Sequence, residues 1–393
     1  MYPRVVITGM GVVSALGVGV EANAYALKHG VSGIGAARYL PTDHLEFPIG
    51  EVPMDNDELC RMLGLPPGPT CSRTRLLGVV ALREALTMAN LQHHAGLALI
   101  SGTTVGGMDV TERLYPSPLP EGVPDIHDCG ASTNAIADDS GDFDYTATVS
   151  TACSSAMNAL IAAKLMIESG ERDIVVAGGA EAMSLFHLNG FKSLMILDRQ
   201  RCRPFDKTRA GLNLGEGAAY LVLESEVSAL RRGAKILGVL SGAGNACDAH
   251  HQTASSEDGE GAFRAMKKAL DDAGLSTSDI GYVNAHGTGT PNNDASESAA
   301  LRRVFGDQLP PVSSTKSLTG HTTSASGSIE AAFCLMAMQQ GFAPAQSEFE
   351  NNDDQCITPV SGSDALNTEL HHVMCNAFGF GGNDSSIILS RYE

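Results

Sequence analysis

Short apolar runs alternate with amphipathic stretches along the whole chain. Runs rich in Val, Ile, Leu and Ala read as strands at residues 5–8, 97–101, 146–149, 174–178 and 219–224. A second set lies at 236–242, 282–285, 311–314, 373–377 and 386–390. Several are continuously apolar, the pattern of strands covered on both faces. Between them, 73–89 and 261–273 carry the helical period. Gly and Pro clusters at 64–69 and 115–124 read as loops. Strands and helices in alternation predict an α/β layered fold.

A repeat strengthens that reading. Residues 153–170 and 324–341 are 18-residue stretches that open on small residues, run apolar almost all round and stop at Gly170 and Gly341. Glycine is the residue that tolerates a left-handed helix end, and a helix apolar all round is a buried one. Two such helices predict a duplicated α/β unit, with an N-terminal half over residues 1–233 and a C-terminal half over 234–393.

Composition removes several classes of function. With 393 residues, 43% hydrophobic and 18% charged, the chain holds ample material for a large core. No run of eighteen apolar residues offers a membrane span. The formal charge of −19 argues against nucleic acid or an anionic membrane as partner. Nine cysteines, an odd number with no Cys-x-x-Cys pair, suit a reducing compartment and hence the cytoplasm. Arg4, the apolar stretch 5–20 and Ala22-Asn23-Ala24 imitate an export signal, but four glycines break the stretch and residues 5–8 read as a buried strand.

Gly9-Met-Gly11-Val-Val-Ser14 follows that strand and approaches the dinucleotide-binding pattern. Ser14 replaces the third glycine and no acid lies near residues 28–38, so a tight strand-to-helix turn is the better reading. Thr151-Ala-Cys153-Ser-Ser opens the first repeat helix. A helix start favours a thiolate, which predicts a lowered thiol pKa at Cys153. Ala152, Ser154 and Ser155 are small enough for a carbonyl substrate to approach. The other eight cysteines read as structural.

His286 ends a strand in Asn284-Ala-His-Gly-Thr288-Gly-Thr290-Pro, a frequent place for active sites in open α/β sheets. Ser313-Ser-Thr-Lys316-Ser-Leu-Thr-Gly-His321 precedes the second repeat helix, and the other ten histidines read as surface or packing residues. Asn376-Ala-Phe378-Gly-Phe380-Gly381-Gly382-Asn383-Asp384 is a glycine loop whose N–H groups suit an oxyanion hole. A helix-start cysteine, two histidines, a lysine and an N–H loop fit acyl transfer through a thioester, with no metal needed.

These motifs resemble the elongating β-ketoacyl-acyl carrier protein synthases of the condensing-enzyme group, over nearly the whole chain. Ala177-Gly-Gly-Ala-Glu181, Arg203-Pro-Phe-Asp206 and Gly215-Glu-Gly-Ala218 match as well. The resemblance implies a thiolase-like fold with a five-layered α-β-α-β-α core, and a homodimer. It makes Cys153 the acyl-accepting nucleophile, with His286 and His321 promoting decarboxylation of malonyl-carrier protein by sharing protons with the thioester oxygen. It gives Lys316 the task of holding that pair, with Glu297 as its salt partner and Asp294 as a structural acid. Cys153 and Phe380 supply the oxyanion N–H groups, and Phe380 gates the acyl pocket. Phe191, Phe378 and Gly381 belong to the substrate pocket, and Thr288 and Thr290 to the phosphopantetheine site. Asp248 and His251 belong to a loop that moves with the gate.

No cofactor is implied, because substrates arrive on the phosphopantetheine arm of acyl carrier protein. Three departures stand out. Asn383-Asp384 replaces the family's Thr-Asn and adds an acid at the gate. Residues 111–143 read as short and irregular where relatives carry a longer segment, and Met195 replaces a carrier-contacting Arg. Lys192, Arg199, Arg201, Lys207 and Arg209 remain as cations for docking; the alternative reading is that some of them, with Arg203 and Asp206, merely brace the fold. The expected function is two-carbon elongation in fatty acid biosynthesis. A specialised polyene or polyketide synthase, paired with a Cys-less sister subunit, is the nearest alternative. A dinucleotide-dependent oxidoreductase and a thioester binder without turnover are weaker ones.

Overall fold

The computed structural model describes residues 2–118, 126–362 and 365–393. All ten expected strands are present, most of them longer at one or both ends. In chain order they are β1 (Val5–Ser14), β2 (Leu97–Gly102), β3 (Phe143–Val149), β4 (Ile174–Glu181) and β5 (Gly217–Ser225). The second half contributes β6 (Gly238–Cys247), β7 (Tyr282–Asn284), β8 (Val312–Ser313), β9 (His372–Gly379) and β10 (Asn383–Ser390). They lie side by side in the order β8-β7-β9-β10-β6-β1-β5-β4-β2-β3. Numbered within its own half, each five-strand set has the order 3-2-4-5-1. In each, the second strand pairs parallel with the third and fourth, and the remaining pairs are antiparallel. That shared topology is the structural form of the repeat. The two sets join where Val6 and Ile7 of β1 pair with Val239 and Gly238 of β6.

Five layers result. Helices α1 (Arg73–Met88) and α2 (Cys129–Ser140) cover the outer face of the first set. Helices α3 (Ser155–Glu168) and α4 (Ser326–Gln340) lie between the inner faces of both sets. Helices α5 (Glu260–Ala273) and α6 (Pro291–Phe305) cover the outer face of the second. The repeat helices start two residues inside their 18-residue stretches, and Gly170 and Gly341 take the expected left-handed φ of 74° and 68°. In α4 every residue from Ser326 to Met338 is buried. In α3 burial is incomplete, with Leu165 exposed.

Two expectations are corrected. Gly9–Ser14 is not a strand-to-helix turn: it is the second half of β1, paired along its length with β5. Its glycines are there because α1 lies directly against the strand. A Cβ on Gly11 would stand 2.0 Å from the Ala81 carbonyl oxygen, and one on Gly9 would stand 2.4 Å from that of Ala85. This leaves no phosphate-binding turn for a dinucleotide. The stretch 111–143 is largely regular, with helices Met108–Leu114 and Cys129–Ser140 and the start of β3; residues 119–125, and part of the loop expected at 115–124, lie outside the described residues.

Candidate active site

Cys153 sits in the turn between β3 and α3, and Ala152 before it is held at φ 52°. Left-handed backbone at alanine is costly, and the neighbouring hydroxyls hold it. Ser155 Oγ donates to the Ala152 carbonyl (2.6 Å) and accepts from Thr151 N (2.9 Å), while Ser154 Oγ donates to the Thr151 carbonyl (2.8 Å). Ser154 and Ser155 thus lock the turn as well as being small. Both repeat helices bring their N-termini here, and so do the C-terminal ends of β7 and β9.

His321 Nε2 lies 3.1 Å from Cys153 Sγ. The His286 ring stands edge-on to His321 with centroids 5.3 Å apart, and Phe378 packs 5.7 Å from His286. Burial, and then the positive charge of Lys316, hold both imidazoles well below their ordinary pKa, so both are neutral. The Cys153 thiol is not lowered as its helix-start position predicts. Burial pushes it up to about 11, against the opposing pull of Lys316 and the backbone N–H groups of Phe380 and Cys153. Those two N–H groups are the ones expected for an oxyanion hole.

Lys316 Nζ lies 3.3 Å from His286 Nδ1 and 2.5 Å from Glu330 Oε1. Its salt partner is therefore Glu330 of α4, not Glu297. Glu297 is occupied elsewhere, accepting the backbone N–H groups of His286 (2.9 Å) and Gly287 (2.7 Å). Burial raises both Glu297 and Glu330 to about 7. A sequence signal for Glu330 existed: it is the only acid in the second repeat stretch, and a buried carboxylate needs a cation. Asp294 is the expected structural acid, gathering the N–H groups of Thr288 (3.0 Å), Gly289 (3.2 Å) and Phe205 (2.7 Å).

A cavity of about 350 Å³ is lined by Cys153, His286 and His321. Thr288 and Thr290 line it with hydroxyls 2.9 Å apart. Phe378, Phe380 and Gly381 form another wall, and Phe191 stacks on Phe380 with centroids 5.9 Å apart and an interplanar angle of 22°. Every expected substrate-pocket residue is therefore in one cavity. The loop that follows β6 touches the Phe380 segment, since Gly381 N donates to the Gln252 carbonyl (2.8 Å). Asp248 of that loop faces Gly382, where a Cβ would stand 2.1 Å from Asp248 Oδ1, and His251 is exposed. Among the described residues no cluster of three or more His, Cys, Asp or Glu could hold a metal ion.

Residues 3–229 match the β-ketoacyl synthase N-terminal domain and residues 237–350 the β-ketoacyl synthase C-terminal domain. The chain belongs to the β-ketoacyl synthase family. Among synthases of known sequence it is 32% identical to 3-oxoacyl-[acyl-carrier-protein] synthase 2 of Staphylococcus aureus, covering 99% of both chains. It is 34% identical to Nodulation protein E of Rhizobium meliloti, covering 100% of both. Among solved structures, the ishigamide ketosynthase/chain length factor superposes with a TM-score of 0.94 at 33% identity, covering 100% of both chains. A β-ketoacyl synthase from Burkholderia phymatum superposes at 0.88 with 30% identity, again over 100% of both. The layered architecture is the thiolase-like fold of these ketosynthases.

Proposed function

We propose that this ketosynthase runs decarboxylative condensation through Cys153, as an acyltransferase that elongates a carrier-bound acyl chain by two carbons. The observation that carries this is the 3.1 Å contact of Cys153 Sγ with His321 Nε2, inside one cavity with His286 and the Phe380 loop. In the first half-reaction the Cys153 sulfur attacks the acyl thioester carbonyl, and the N–H groups of Cys153 and Phe380 receive the developing oxyanion. In the second, malonyl thioester occupies the same cavity and loses carbon dioxide. Its enolate oxygen is stabilised by the histidines, and its carbanion attacks the acyl group on Cys153. Lys316 contributes a fixed positive charge beside His286, balanced by Glu330.

Acyl carrier protein delivers the substrates, with Thr288 and Thr290 placed to bind the phosphopantetheine arm and no further cofactor. The active form pairs two such chains, either two copies or this chain with a sister subunit lacking the cysteine. All nine cysteines are free thiols, which suits the cytoplasm. Fatty acid biosynthesis is the pathway proposed. A specialised polyketide role is the second reading, favoured by the 0.94 superposition on a ketosynthase/chain length factor structure. A condensation assay with carrier-bound primers of graded length separates them. Turnover of simple saturated primers by the protein alone supports the first. Turnover only with an added sister subunit supports the second. No condensation product under either condition refutes both.

A further inference from the structure

Besides His286 and His321, His187 is the only buried histidine, and the reactions above give it nothing to do. It stands in the helix Leu185–Ser193, one turn before Phe191. Its Nδ1 lies 3.1 Å from Ser184 Oγ, and its ring centroid lies 6.4 Å from that of Phe191. Burial holds its pKa below the ordinary value, so the ring is neutral and brings one donor and one acceptor. It is within electrostatic reach of Glu181 and of His321.

Glu181, at the end of β4, gathers polar groups from both halves of the chain. It accepts from Thr103 Oγ1 (2.8 Å), from Thr104 N (2.7 Å) and from Ser324 Oγ. Thr323 precedes Ser324 and follows His321 by two residues. It is 5% exposed, and its hydroxyl has no hydrogen-bond partner among the described residues. It is also held at φ 45°, a costly conformation for a β-branched residue. A buried hydroxyl left without a partner calls for one from outside the chain.

Condensation puts two substrates at Cys153 at once, an acyl group on the sulfur and a malonyl thioester beside it. A cavity of about 350 Å³ lies at the small end of ligand pockets, which run from about 300 to 1,000 Å³, and holds one of them. The acyl chain needs room beyond the cavity walls. Phe191 is a half-buried wall residue, and the ring one turn back along its helix is His187, which does not line the cavity.

We propose that the acyl chain on Cys153 runs past Phe191, and that His187 and Thr323 are specificity-determining residues that favour a chain bearing a hydrogen-bonding oxygen over a saturated chain of equal length. The inference rests on the reading of Cys153 as the acyl acceptor. A saturated chain would take water away from these polar groups and offer nothing in return. A keto oxygen would accept the free Thr323 hydroxyl. Sites built to hydrogen-bond a substrate discriminate strongly against an analogue that lacks the bonding group, because their own groups are then left unpaired. The inference weighs toward the second of the two pathways named above.

The test uses the full-length protein in three forms: wild type, His187→Leu and Thr323→Val. Each is given an equal mixture of two carrier-bound primers of the same length, one saturated and one with a single keto group. The keto group is moved to successive positions beyond the β-carbon. Intact mass with peptide mapping reads the ratio of the two acyl groups on Cys153 before malonyl substrate is added. Wild type should load the keto primer about tenfold in excess at one or more positions, the ratio that corresponds to one buried hydrogen bond. Thr323→Val keeps the shape and loses the hydroxyl, so the excess should vanish at those positions. His187→Leu should raise loading of the saturated primer. A purely structural role would lower the melting temperature and slow both primers equally, with the ratio unchanged. Wild type that loads the saturated primer as well at every position overturns the proposal, and so does an unchanged ratio in both variants. If neither primer loads Cys153, the reading of Cys153 as acyl acceptor falls and the proposal with it.

Discussion

At the residue scale, burial decides the chemistry of Cys153. A helix start is worth about 0.3–1 kcal/mol to a nearby negative charge. Moving the thiol from its ordinary 9.0 to about 11 costs about 3 kcal/mol, so desolvation wins. Sequence showed the helix start and not the depth, which is why the sign of the shift was misread. The motif residues themselves were legible, because Cys153, His286, Lys316, His321 and Phe380 all follow strands or open helices. The pairing of Glu330 with Lys316 was missed: the lone acid of an apolar stretch marked a buried group in need of a cation, but only the fold shows which cation lies beside it. If the histidines act as general acid–base groups, His286→Ala and His321→Ala should each cut carbon dioxide release from malonyl-carrier protein by roughly 10²–10⁴. His286→Ala should still accept an acyl group on Cys153. Near-normal gas release from both variants would remove them from the decarboxylation step.

At the element scale, the turn between β9 and β10 runs from Phe380 to the acid Asp384 at the start of β10. Asp384 opens the way into β10 as a buried side chain, and burial, then Asp248, then Glu297, raise it to about 7. Gly382, at φ 76°, lies close to Asp248: a Cβ there would stand 2.1 Å from Asp248 Oδ1. A carboxyl whose folded pKa is raised binds its proton more tightly in the folded state than in the unfolded one. Its stabilising contribution is complete below pH ~4 and is lost as pH rises through about 7. Asp384→Asn should therefore gain stability over wild type at pH 8 that it does not gain at pH 4. Urea unfolding at the two pH values measures this, and an equal difference at both would show that Asp384 is not the titrating group. The strands flanking this turn were readable because apolar residues cover both faces. The β1 glycines were misread because a close helix contact and a tight turn call for the same residue.

At the scale of the whole molecule, the duplicated topology puts Cys153 and the two histidines in different halves, and the candidate active site lies where the N-termini of the two repeat helices meet. The charge of −19 sets a long-range repulsion toward any acidic carrier, so the carrier delivery proposed above calls for a local basic patch. The structure narrows the candidates. Arg203 pairs with Asp198 (3.1 Å), Arg209 is buried against Asp353 and Asp294, and Asp206 accepts the backbone N–H groups of Glu350 and Asn351. These brace the fold. Lys192 is half-buried against His44 (3.0 Å). Arg199, Arg201 and Lys207 remain exposed, and Met195 beside them is 88% exposed. Arg199→Glu should raise KM for carrier-bound substrate and spare a small pantetheine thioester. Added salt should weaken the wild-type reaction with the carrier, because surface charge is screened beyond ~8–10 Å. Equal losses on both substrates would assign Arg199 to the fold instead.

The most direct measurement is the intact mass of the protein, with peptide mapping, after incubation with an acyl-carrier protein and again after malonyl-carrier protein is added. The account predicts one acyl group, located on Cys153, that disappears on malonyl addition as carbon dioxide and a β-ketoacyl-carrier product form in equal amounts. Cys153→Ser should show neither the mobile acyl group nor the product. An acyl group found on another residue, or full turnover by Cys153→Ser, would contradict it.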